Sequence, residues 1–77
     1  MALVSSIELV TREKVSLHEP AHCLGSVVTC EGEVRIQLDT VGRAVRTIPG
    51  KVSQTMQFDR EGFRQLLELG HRAFPDL

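Results

Sequence analysis

Between Lys51 and Phe74 the apolar residues change period once, from two to between three and four, and this commits the last third of the chain to a half-buried strand running into a helix. Over 51–58, Val52, Met56 and Phe58 share one face; Lys51, Ser53, Thr55 and Gln57 take the other, and Gln54 interrupts the apolar side. Asp59 is placed to cap a helix over 60–74. In that helix Phe63, Leu66, Leu67, Gly70, Ala73 and Phe74 form one stripe, opposite Arg60, Glu61, Arg64, Gln65, Glu68 and Arg72. Pro75 ends it, having no amide proton and forcing the preceding residue out of helical geometry. Gly62 and Gly70 each weaken the helix by about 1 kcal/mol relative to Ala, so its stability must come from packing on a sheet. A glycine within the stripe lets it approach that sheet closely.

The chain upstream supplies the sheet. A strand over 3–12 sets Ile7 and Leu9 against Ser6, Glu8 and Val10 and ends in the charged corner Arg12-Glu13-Lys14. Ser16 and Glu19 have capping-box spacing, but Pro20 restricts Val15–His22 to a loop with one short helical turn. Strands over 24–30 and 33–39 flank Glu31-Gly32, a two-residue hairpin turn, and Val34, Ile36 and Leu38 alternate with Arg35, Gln37 and Asp39. A strand over 43–48 precedes Pro49-Gly50, a type II turn signal. The expected architecture is a single α+β domain spanning residues 1–77. It has a four- or five-stranded antiparallel meander sheet and one C-terminal amphipathic helix packed on one face.

The strand over 24–30 is apolar on both faces. If it is central, the helix covers one side and Leu24, Val27 and Val28 become candidates for a subunit interface on the other. With 77 residues, the chain lies near the lower limit at which one core suffices without a disulfide, a metal or a second subunit.

Composition narrows the function classes. At 42 % hydrophobic and 25 % charged residues, with no run of about 18 apolar residues, the chain reads as globular and not membrane-spanning. Met1–Val10 lacks the basic region of a signal peptide, so a cytoplasmic protein with Cys23 and Cys30 reduced is expected. Trp and Tyr are absent, which removes most of the usual stacking residues.

The net charge is −1, yet Arg35, Arg43, Arg46 and Lys51 face Asp39 alone within residues 35–51. This basic hairpin is a candidate patch for nucleic acid or an acidic protein surface; lysine and arginine at strand edges also serve simply to discourage edge pairing. His18-Glu19-Pro20-Ala21-His22 matches the His-Glu-x-x-His spacing of zinc peptidases, but Pro20 denies it the helix that aligns both imidazoles. His18, His22 and Cys23 have ligand chemistry suited to zinc at a spacing that matches no standard finger, so no metal or other cofactor is expected. There is no glycine-rich phosphate loop and no nucleophile elbow, which argues against an enzyme.

Val34-Arg35-Ile36-Gln37-Leu38, followed by Met56-Gln57-Phe58-Asp59-Arg60-Glu61-Gly62-Phe63, resembles the single-stranded-DNA-binding domain of the transcriptional coactivator PC4 group over the last forty or so residues. That resemblance implies a dimer that binds single strands on its sheets. The same pattern resembles the COMM domain, which implies a dimerising protein-interaction module.

The expected function is that of a small non-enzymatic binding protein, an adaptor, regulator or inhibitor. It would act on a protein partner or on itself, as a dimer or a subunit of an assembly. The alternative is single-stranded nucleic-acid binding through Arg35, Arg43, Arg46 and Lys51, and a metal-binding module comes third.

Overall fold

The computed structural model describes residues 1–41 and 52–77. The strand expected over 43–48, the Pro49-Gly50 turn and the side chains of Arg43, Arg46 and Lys51 lie outside the described residues. Those residues form strands β1 (Ala2–Val4), β2 (Cys23–Cys30), β3 (Glu33–Val41) and β4 (Val52–Phe58) and helix α1 (Arg60–Ala73). The sheet has the order β1-β4-β3-β2, and the helix touches β3 and β4. This is the expected small α+β domain, with one parallel pair in an otherwise antiparallel sheet.

The β2–β3 hairpin forms where Glu31-Gly32 requires it. Glu31 and Gly32 have φ of 52° and 78°, the two positive values of a type I′ turn, whose twist matches that of the flanking strands. Register follows: Cys30 pairs with Glu33, Val27 with Ile36 and Gly25 with Leu38, while Ile36 and Leu38 pair across β4 with Phe58 and Met56. Paired residues point to the same side, so Val27, Ile36, Leu38, Met56 and Phe58 share one face of the sheet. Arg35, Gln37, Asp39, Thr55 and Gln57 share the other.

β1 departs from expectation in length and direction. It runs parallel to β4, pairing Ala2 with Met56 and Val4 with Phe58, and it stops at Val4 rather than continuing to residue 12. The helix start causes the stop, because the Val4 carbonyl accepts the Asp59 N–H at 3.4 Å and Gly62 lies against it. The Ile7 N–H then donates to Gln65 Oε1, and Ile7 and Leu9 line a groove with Leu69 and Arg72. A parallel pair cannot be joined by a hairpin, and the connection from β1 to β4 includes β2 and β3; within it residues 5–22 carry the chain from β1 to β2 on the far side of the sheet. Val15–His22 contains no helical turn. Pro20 and the shortness of the segment leave the capping-box spacing without a helix to cap.

In α1, Asp59 accepts the Gly62 N–H at 2.8 Å, and Pro75 closes the helix after Ala73. Its buried stripe is rotated from the expected one. Phe63, Leu66 and Leu69 are half-buried, whereas Leu67 and Phe74 are 49 % and 60 % exposed. The reason is that α1 packs between the Phe58 end of the sheet and the segment around Ile7, so Leu69 is drawn in. Gly62, outside the expected stripe, makes the close approach; a Cβ at Gly70 would meet nothing within 4 Å.

Candidate functional site

The helix covers one end of its sheet face. There Phe63 meets Val34, Ile36 and Phe58 around a small cavity, and Phe58 is the one buried apolar side chain among the described residues, 6 % exposed. Toward the other end the same face is open. Ala2, Cys23, Leu38, Val52 and Met56 line a concavity of about 640 Å³, with Thr40 and Gln54 at its polar positions, and Met56 remains 43 % exposed. Apart from the Cys23 thiol these side chains carry no ionisable group. The concavity offers apolar contact and little else, which suits a hydrophobic side chain or segment.

Among the described residues β2 is an edge strand rather than a central one. Val27 is 76 % and Leu24 49 % exposed, while Val28, paired with Arg35, is half-buried. Cys23–Cys30 contains no Lys, Arg, Asp, Glu or Pro, so none of the usual devices that blunt an edge is present in the strand.

The opposite face carries a polar chain. Arg35 Nη1 donates to Gln57 Oε1 at 3.4 Å, Gln57 Nε2 to Gln37 Oε1 at 2.9 Å, Gln37 Nε2 to Asp39 Oδ2 at 3.1 Å, and Thr55 Oγ1 to Asp39 Oδ1 at 2.7 Å. The Thr55 hydroxyl, and then the Gln37 amide, hold the Asp39 carboxyl below the usual carboxylate range. The alternation of Arg35, Gln37 and Asp39 marks these as face-sharing residues. What sequence reasoning missed is that Thr55 and Gln57 pair across to them and close the network.

Among the described residues, the basic patch is represented by Arg35 alone, whose guanidinium is directed to Gln57. His18 and His22 are exposed in the crossover and Cys23 is exposed at the start of β2. No three His, Cys, Asp or Glu side chains converge among the described residues. Cys23 and Cys30 are free thiols at opposite ends of one strand. At about 3.3 Å per residue they stand roughly 23 Å apart, too far for a disulfide within the chain. No helix among the described residues is long and apolar enough to cross a membrane.

No protein-family model, no curated protein and no solved structure matches this chain. The functional reading therefore rests on its own geometry.

Proposed function

We propose that this chain is a small non-catalytic binding protein that works as a subunit of a protein assembly, with the open half of its helix-bearing sheet face covered by another polypeptide. The observation that carries this reading is the unfinished core. Phe58 is buried, but Val27, Val34, Val52 and Met56 on the sheet, and Leu67 and Phe74 on the helix, remain exposed.

Single-stranded nucleic-acid binding, the alternative raised by the basic hairpin, gains no support from the described residues. Arg35 donates through one nitrogen to Gln57 at 3.4 Å, and Arg43, Arg46 and Lys51 lie outside the described residues.

The test is isolation of the tagged chain with and without nuclease treatment, wild type beside Met56→Glu. We expect a stoichiometric complex with a second polypeptide, identical or different, that Met56→Glu disrupts. A folded 8.6 kDa monomer that takes up no polypeptide would contradict the proposal. Retention of nucleic acid alone would return Arg35, Arg43, Arg46 and Lys51 to the front.

A further inference from the structure

We infer that the polypeptide on the β2 edge is a second copy of this chain, paired antiparallel to β2 about a two-fold axis at Ser26. This rests on the assembly reading and specifies one interface within it.

The outward-facing backbone groups identify themselves. Val41 donates its N–H to His22 O at 3.0 Å, so residues 22 and 41 form a hydrogen-bonded pair. Such pairs alternate along an antiparallel ladder, and the two-residue turn closes on Cys30 and Glu33 in the same phase. The even-numbered residues of β2 therefore bond to β3. Cys23, Gly25, Val27 and Thr29 direct their N–H and C=O groups to the free edge.

A two-fold axis at Ser26 sets these four against one another, Cys23 opposite Thr29 and Gly25 opposite Val27, and uses every outward group of the strand. The side chains fit the same register. On the helix-bearing face, exposed Val27 lies over Gly25 of the second copy, where no side chain competes for space. On the other face Leu24 meets Val28, and Ser26 meets Ser26 with two hydroxyls in reach of each other. No charge is brought opposite a like charge. An axis at Val27 would place Cys23 opposite the turn at Glu31 and leave its outward groups without a strand partner.

An unrelated strand would find the same hydrogen bonds but not this side-chain match. Because the axis stands normal to the sheet, the two open concavities end up on the same side of an extended sheet.

The experiment uses the full chain with Cys23→Ser and Cys30→Ser, both native thiols being exposed. Ser26→Cys and, separately, Leu24→Cys are introduced and equilibrated in a glutathione redox buffer. Ser26 occupies a non-hydrogen-bonded pair on the axis, where Cα atoms about 4.5 Å apart admit a disulfide, while the two Leu24 positions are separated by several residues. We expect a linked dimer from Ser26→Cys and little from Leu24→Cys. In sedimentation, the otherwise unmodified chain runs at twice its 8.6 kDa, and Val27→Lys raises the dimer dissociation constant at least tenfold. At concentrations above its raised dissociation constant Val27→Lys retains its circular dichroism, since Val27 is 76 % exposed and the change removes no packing within one copy.

A dimer that fails to link at Ser26, or that Val27→Lys leaves intact, overturns the edge pairing and leaves the assembly reading standing. A chain that binds only a different polypeptide does the same. A folded monomer with no polypeptide partner overturns both.

Discussion

Gly62 lies against the backbone of Val4 so closely that a Cβ there would overlap the Val4 carbonyl oxygen and stand 2.7 Å from its carbonyl carbon. This contact seats the first turn of α1 on the end of β1 and joins the two ends of the described chain. Gly62→Ala should lower stability by about 1–3 kcal/mol despite the better helix propensity of alanine, because backbone must move to admit the methyl. Gly70→Ala meets open space and should raise stability by about 0.5–1 kcal/mol. Urea midpoints of the two variants measure the opposite signs, and two changes of the same sign would refute the contact.

The cap beside this contact should be separable from it. Asp59 accepts the Gly62 N–H at 2.8 Å. Asp59→Ala should cost about 0.5–2 kcal/mol, and Asp59→Ser should recover most of the loss. Chemical denaturation of both variants checks this, with failure of serine to rescue as the opposing result.

The helix surface carries a pH signal. Hydrogen bonds from Arg64 and then Gln65 hold the Glu61 carboxyl down at about 2, from an ordinary 4.5. A depressed carboxylate stabilises the fold above its unfolded pKa and loses that contribution as pH falls through its folded one. The gap in urea midpoint between wild type and Glu61→Gln should therefore narrow from pH 4.5 toward pH 2. The pair is exposed, so the gap should be small and should shrink with added salt. A gap that is constant across this window would show that the Glu61 charge contributes nothing to stability.

Gln37 and Gln57 couple across β3 and β4 through a 2.9 Å hydrogen bond in the middle of the polar chain. A double-mutant cycle with alanine at both positions should return a coupling of about 0.5–1 kcal/mol. A coupling near zero would mean that the polar face is held by water and not by the side-chain network.

The parts of the fold legible in the sequence are those with a local cause. Glu31-Gly32 takes the positive φ values its hairpin needs, and Asp59 and Pro75 bound the helix at the expected residues. β1 is not legible in the same way, since a three-residue strand carries no periodicity and its parallel partner is more than fifty residues away. Apolar residues on both faces of Leu24–Cys30 fit a strand with neighbours on two sides, and among the described residues it has one. Leu38 and Met56 alternate as core positions should, but alternation does not reveal how far along the face a helix reaches. The open concavity was hidden for that reason.

The measurement closest to the central claim is far-UV circular dichroism of the purified chain on serial dilution, with mass followed by sedimentation at each step. With Phe58 the one buried apolar side chain among the described residues, a lone copy lacks the burial that offsets chain entropy. The account predicts that ordered structure and assembled mass fall together as the chain is diluted, with a thermal midpoint that rises with concentration. A chain that remains a cooperatively folded 8.6 kDa monomer at every dilution would contradict it.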